Sequence, residues 1–432
     1  MNFTRRLVMK GAAVTAASFA TETACTAAPV PAAAGERTVQ EIASDEAFWR
    51  PIAAQYDVTP DVVNFENGYW GLMARPVMEA FFRNTEKVNR NNSWYARRDY
   101  YSDIQKVHAR LADFLGAGAD EIVFTRNATE SLQGLVGGYN RLKPGDAVMF
   151  SDLDYDSIQT AMETKAEWTG ASVVRITIPE PVTFDGVIET YRQALEANPK
   201  VRLLLLTHIS HRTGLMIPVR EIVELARGFG VDCIVDAAHS WGQTDFRMED
   251  LGADFVGFNL HKWIGAPIGA GLMYIRRERL ADISPNISEC PEGEGAIFHR
   301  VHTGTTNFAT FLTVGDALDF HELVGPARKA ARIAYLRDLW AEEMRGDDRI
   351  EILTPPDPRL HAGITSFRFT GRTSVDDNKA IVNDLVEKHG IFTVHRSDVA
   401  RGACVRVTPS LYNTPDQCLQ LVRALRSLLA EG

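Results

Sequence analysis

From about residue 121 onward the chain alternates short apolar runs with amphipathic stretches. Glu121 to Thr125 (EIVFT), Ala147 to Ser151 (AVMFS), Ser172 to Ile176, Arg202 to Thr207 (RLLLLT), Asp232 to Asp236 (DCIVD), Phe255 to Asn259 and Leu272 to Ile275 predict seven buried strands. Between two of them, 218–229 sets Val219, Ile222, Val223 and Ala226 on one face at helical spacing. Such alternation predicts an α/β fold, a mainly parallel seven-stranded sheet with helices on both faces. Segment 40–56 reads as helical, and 76–116 contains further helices. After about 325 the pattern shifts to a long helix (326–345), strands near 350–353 and 363–369, a helix at 375–389 and a terminal helix at 415–430. That is a smaller C-terminal α+β unit. The expected division is an N-terminal segment 36–75, a large domain 76–325 and a small domain 326–432.

Composition narrows the classes. The 432 residues carry 46 Lys+Arg against 56 Asp+Glu, a net charge of −10, with 45% hydrophobic and 24% charged positions. This is globular composition, and it excludes disorder, collagen and coiled coil for most of the length. An acidic chain without basic runs has no electrostatic footprint for nucleic acid. Five scattered cysteines (Cys25, Cys233, Cys290, Cys404, Cys418) without a CxxC indicate neither a disulfide framework nor a zinc ribbon. Residues 1–35 read as an address: Thr4-Arg5-Arg6-Leu7-Val8-Met9-Lys10 before GAAVTAASFA matches a bacterial twin-arginine signal. The run is shorter than the about 20 apolar residues a spanning helix needs. The expectation is export to the periplasm by the twin-arginine (Tat) machinery, a route taken by proteins already folded, commonly around a cofactor.

Ligands of such sheets bind at the carboxyl ends of the strands. Polar groups gather there: Arg126 to Ser131, Asp152 to Asp156, Thr207 to His211, Asp236 to Ser240 and Asn259 to Lys262. No GxGxxG, GxSxG or Walker A pattern occurs. Asp236 closes an apolar strand, and a buried carboxylate needs a cationic partner. Lys262, between His261 and Trp263 just past a strand, is placed to be desolvated, as a Schiff-base lysine must be. The pair fits pyridoxal phosphate (PLP) chemistry. It fits a structural salt bridge and a surface lysine as well, and these two residues alone do not decide.

The stretches RNATES, HISHRTGLMIPVREI, VDAAHSWGQ, FNLHKWIGAPIGAGLMYI, TGTTN and RVTPSLYNT, in this order over about residues 60–425, resemble class V of the PLP-dependent aminotransferases. This is fold type I, and the resemblance is greatest to the isopenicillin N epimerase branch. It implies that Lys262 binds the cofactor covalently, that Asp236 holds the pyridine nitrogen and that His239 faces the phenolic oxygen. It implies a phosphate cradle of Ala128, Thr129, Asn259 and His261, with Tyr155 stacked on the ring and His211 near the phenolic oxygen. Thr305, beside Gly304, would reach the neighbouring subunit's phosphate, so a homodimer with shared sites is expected. Arg406 would grip a substrate carboxylate, with Asn67 and Tyr69 at the lip of the pocket. The aromatic and basic stretch 91–98 resembles one that faces the active site in the epimerase branch.

The nucleophilic cysteine loop of the cysteine desulfurases has no counterpart, since the nearest cysteine, Cys404, sits two residues before Arg406. No metal is expected, because two of the four clustered histidines (His208, His211, His239, His261) already have roles by resemblance. The implied activity is a PLP-dependent enzyme of the epimerase/aminotransferase type, acting on the amino group or Cα of an amino acid or peptide. Two alternatives stand beside it: an exported enzyme tailoring a peptide side chain by transamination or lyase chemistry, and a non-catalytic binding protein. The motifs do not specify whether epimerisation, transamination or elimination follows proton removal.

Overall fold

The computed structural model describes residues 37–289 and 295–431; the expected signal at 1–35 and the cysteines Cys25 and Cys290 lie outside the described residues. A seven-stranded sheet runs in the order Ile122–Thr125, Gly271–Ile275, Phe255–Asn259, Asp232–Asp236, Val201–Thr207, Ala147–Ser151, Ser172–Ile176. All neighbours are parallel except Gly271–Ile275, which pairs antiparallel on both sides. The α/β reading of the sequence and all seven strands are found. Their continuous apolar character has a simple cause. Leu204 and Leu206 pack into the core on one face of the sheet, while Leu203 and Leu205 pack into that on the other.

The crossovers bring helices close against the sheet. Ala128–Gly138 is capped by Asn127, whose Oδ1 accepts the Glu130 N–H. It rests on Gly257, where a Cβ would lie 2.8 Å from Leu132. Asn127 passes over Gly271, where a Cβ would lie 2.5 Å from its Cα. The start of this helix is thereby fixed over the ends of the strands.

The expected helix at 40–56 is two helices, Val39–Ala43 and Glu46–Ala53. Asp45 divides them, because its carboxylate accepts the N–H groups of Ala47 and Phe48 and starts a new helix. The chain then crosses to the C-terminal unit, where Val63–Asn64 pairs in parallel with Ile391–Phe392 and Phe65 enters the core. It returns to donate the Gly71 N–H to the His261 carbonyl at 2.9 Å. The C-terminal unit is a four-stranded antiparallel sheet, Val394–Arg396, Cys404–Val407, Thr365–Phe369, Ile350–Ile352. The helices Pro326–Met344, Val375–His389 and Pro415–Glu431 pack with it. Among the described residues no helix is long and apolar enough to cross a membrane.

Gly271→Ala sets a methyl group against the Asn127 backbone, which cannot turn aside as a side chain can. It should cost about 1–3 kcal/mol, read as a lower urea midpoint with far-ultraviolet circular dichroism little changed. An unaltered midpoint would contradict the close packing.

Candidate active site

The carboxyl ends of the strands, the segment 68–70 and the stretch 395–398 of the small unit enclose a cavity of about 680 Å³. After Asn259 the chain turns through Gly265 and Gly269, both at positive φ (80° and 93°), before it re-enters the sheet. This turn carries His261 and Lys262 out of the sheet and into the cavity. Two backbone contacts fix it: Gly71 is so close that a Cβ there would meet the Lys262 carbonyl, and the buried Lys329 ammonium donates to the Trp263 carbonyl.

Lys262 Nζ lies 2.9 Å from His239 Nε2. The Trp263 indole N–H donates to His239 Nδ1 at 3.4 Å, which makes Nδ1 the acceptor and leaves the ring proton on Nε2. Nζ therefore accepts that proton, which it does only as a neutral amine. Burial pushes the Lys262 ammonium down to about 7, against the opposing pull of Asp236. Burial also holds His239 well below the usual histidine range, with the charges of Lys262 and Arg406 adding to it. Asp236 ends its strand in the cavity wall. Its Oδ1 accepts the Ala238 N–H at 2.8 Å, and burial raises its carboxyl above the ordinary carboxylate range.

Across the cavity, Tyr155 meets His211 edge to face with ring centroids 5.3 Å apart, and His211 Nδ1 is buried without a partner. At the start of the helix Ala128–Gly138 the amides are divided. Glu130 N–H is taken by Asn127, and Ala128 N–H donates to Asn259 Oδ1 at 2.8 Å. The expectation that Ala128 offers an open amide is corrected by that contact; Thr129, with its N–H and hydroxyl, is the residue left open to a ligand. His261 donates Nδ1–H to the Ala270 carbonyl at 2.8 Å, and burial lowers its pKa to about 4. Its neutral ring thus turns the Nε2 lone pair to the cavity and donates to an anion only after protonation.

Lys262, Asp236, His239, His211, Tyr155, Asn259, His261, Ala128, Thr129, Tyr69 and Arg406 therefore share one cavity. Others expected at the site do not join them. Asn67 is buried away from it: its N–H donates to Thr408 Oγ1, its Nδ2 donates to the Thr408 carbonyl, and its Oδ1 accepts the Tyr412 hydroxyl. It ties the N-terminal crossing to the small unit. Thr305 is exposed and outside the cavity of its own chain. The stretch 91–98 also lies outside it, with Trp94 exposed and the Tyr95 hydroxyl on Asp103. Cys404 is buried in its strand, away from the cavity. Among the described residues no three His, Cys, Asp or Glu are grouped as a metal site requires.

Arg126, named among the polar groups at the strand ends, lines the cavity, and two further arginines escaped the sequence reading. Arg126 pairs with Glu130, Arg212 pairs with Asp156, and Arg396 lines the wall from the small unit. Arg212 lay inside a recognised stretch, but Arg396 ends a strand of three residues, too short to show a periodicity.

A buried neutral amine, a carboxylate, and a helix start with unspent donors on one cavity are the set that PLP requires, and these residues fit it. A family model, Aminotransferase class-V, matches residues 75–419. An isopenicillin N epimerase of Amycolatopsis lactamdurans is 27% identical over 403 residues, covering 88% of this chain and 98% of that protein. The solved cysteine desulfurase of Thermococcus onnurineus superposes with a TM-score of 0.75 at 22% identity, covering 89% of this chain and 98% of that one. A C-DES variant solved with glycine covalently linked to its PLP cofactor gives a TM-score of 0.73 at 21% identity, covering 86% of this chain and 98% of that one.

The depressed Lys262 value has a measurable sign, since only the neutral amine attacks an aldehyde. Covalent capture of added PLP by the stripped protein, fixed with borohydride and located by peptide mass, should speed up as pH rises through about 7 and then level off. A rate still climbing toward pH about 10, the range of an ordinary lysine, would show that the amine is not desolvated.

Proposed function

Since the chain belongs to the class-V aminotransferase family, a family of PLP enzymes, we propose that it acts on the amino group or Cα of an amino acid or peptide through Lys262. One observation carries this reading: the Lys262 amine is buried, its ammonium pushed down to about 7 by desolvation, and it lies 2.9 Å from His239 Nε2 inside the cavity that Asp236 and Thr129 also line. Lys262 would hold the cofactor covalently, Asp236 its ring nitrogen, and Thr129 with Asn259 its phosphate, which His261 would join only when protonated. Bound there, PLP supplies an electron sink that weakens the bonds of the amino-bearing carbon. Once released by the substrate amine, Lys262 Nζ, its ammonium held down to about 7 by burial, would accept the proton from that carbon. His239 keeps Nζ oriented through its Nε2–H, and Trp263 keeps His239 in the tautomer that can do so. Asp236, fixed by the Ala238 N–H, opposes loss of the ring-nitrogen proton.

The isopenicillin N epimerase likeness spans nearly the whole length of both proteins and favours proton transfer at Cα over persulfide relay. The buried Cys404 supports the same preference, because a sulfur carrier must reach the cavity. The reading includes a homodimer, supported by the exposed Thr305 outside its own cavity, and periplasmic export, supported by Arg5-Arg6. Modification of a peptide side chain in that compartment is the competing form of the activity.

The purified protein should show a visible absorption band that vanishes in Lys262→Ala, together with turnover lowered by about a thousandfold or more. With a panel of amino acids and small peptides, bleaching of the band identifies transamination. A persistent band with exchange of the substrate's α-hydrogen for deuterium identifies epimerisation. Absence of any band after added PLP would leave only the non-catalytic binding protein.

A further inference from the structure

Behind the loop that presents Lys262 lies a basic pair outside the large cavity. Lys329, on the helix Pro326–Met344, is buried, and its Nζ donates to the Trp263 carbonyl. Its other neighbour is His321 Nδ1 at 3.5 Å. His321, on the helix Phe308–Val324, is buried too, and burial holds it well below the usual histidine range. No neighbouring charge supports an ammonium at Lys329; burial acts on it alone and lowers its pKa to about 7. A neutral amine has two N–H groups, and two acceptors face this one, the Trp263 carbonyl and His321 Nδ1.

The Trp263 carbonyl receives no backbone N–H. It is enclosed on its other side by Gly242, at φ 86°, where a Cβ would lie 2.8 Å from the carbonyl carbon. Lys329 is therefore the donor that satisfies it. A cavity of about 20 Å³ touches both Lys329 and Trp263, so the loop has room to shift once that donor is lost. Trp263 connects this contact to the amine. Its indole N–H donates to His239 Nδ1 at 3.4 Å, and His239 Nε2 lies 2.9 Å from Lys262 Nζ. The charges felt most at Lys262 are those of Asp236, Arg406, Glu66 and Arg396, so Lys329 reaches it through hydrogen bonds and not by charge.

We infer that Lys329 is a positioning residue for Lys262. It holds the Trp263 carbonyl, the indole thereby stays on His239 Nδ1, and His239 keeps its proton on the nitrogen that faces the amine. It does so as a neutral donor, with His321 taking its second N–H. This rests on the proposed reading of Lys262 as the amine that holds the cofactor. A donor to the neutral amine favours that form over the ammonium. Loss of the relay therefore raises the pH at which Lys262 becomes reactive.

The test follows capture of added PLP against pH in the full-length protein freed of cofactor. Nitrogen-15 NMR of His239 in the same samples, assigned by the signals missing from His239→Gln, reads its tautomer without any cofactor. Lys329→Met keeps the length of the side chain and removes the donor. It should raise the capture midpoint by about one pH unit, a rate about tenfold lower at pH about 6, and move part of the His239 proton from Nε2 to Nδ1. Lys329→Gln, which keeps an N–H, should recover part of both. Trp263→Phe should shift both in the same direction, and combining it with Lys329→Met should add little to either alone. A Lys329→Met protein that unfolds at lower urea but keeps the wild-type midpoint and tautomer overturns the inference, since its lysine is then structural only. Fully additive effects in the double variant overturn it too. Should Lys329→Met fail to fold, unaltered values in Trp263→Phe overturn it from the other end of the relay. Capture of PLP by the wild type at a residue other than Lys262 sinks the proposed function instead, and the His239 tautomer still decides whether Lys329 sets it.

Discussion

A primary amine buried without a counterion at contact distance is the constraint on which this molecule is built. Desolvation alone would expel a lysine ammonium or weaken its hold on its proton, and at Lys262 burial brings that loss down to about pH 7. Asp236 sits near enough to temper the effect and too far to form an ion pair with Nζ. The result is an amine that is nucleophilic near neutrality and cannot swing away, because its backbone is closed in by Gly71 on one side and by the Lys329 contact to Trp263 on the other. Lys329 is itself a buried lysine whose pKa burial lowers to about 7. One desolvated amine therefore stabilises the loop that presents another.

The architecture follows from keeping that amine dry and aligned. Strands buried on both faces supply rigid ends, and the polar groups are placed just beyond them. The two loops that carry His239 and Lys262 come from adjacent parallel strands, so their side chains meet at a distance the sheet spacing already provides. Trp263 adds the tautomer, a choice of one proton position that decides which partner donates.

The sequence made the sheet readable because a strand covered on both faces leaves an unbroken apolar run, and RLLLLT is the plainest case. Lys262, Asp236 and His239 were readable from motif order, since each sits at a strand end. What stayed hidden were pairings between residues far apart in the chain. The Asn259–Ala128 contact joins positions 131 apart, and the Glu66–Arg406 pair joins positions 340 apart. Neither has a local signature, so Ala128 looked open and the carboxylate partner of Arg406 went unseen. Asn67 was misplaced for the same reason: its partners, Thr408 and Tyr412, lie in the last part of the chain. The break at Asp45 was different in kind. It is a local capping signal that apolar periodicity on either side obscured.

The grip of Asn259 on Ala128 has a consequence for how such a site can diverge. Asn259 stands three residues before Lys262, so the element that carries the amine also clamps the helix start that faces the phosphate. The groups fitted to the cofactor belong to the large sheet and its loops, whereas Arg396 and Arg406 come from the small one. Substitutions along 394–406 can therefore alter what is admitted while the internal calibration of the cofactor cradle stays as it is. Selectivity and chemistry are inherited on separate pieces of the chain, and a lineage can revise one without rebuilding the other.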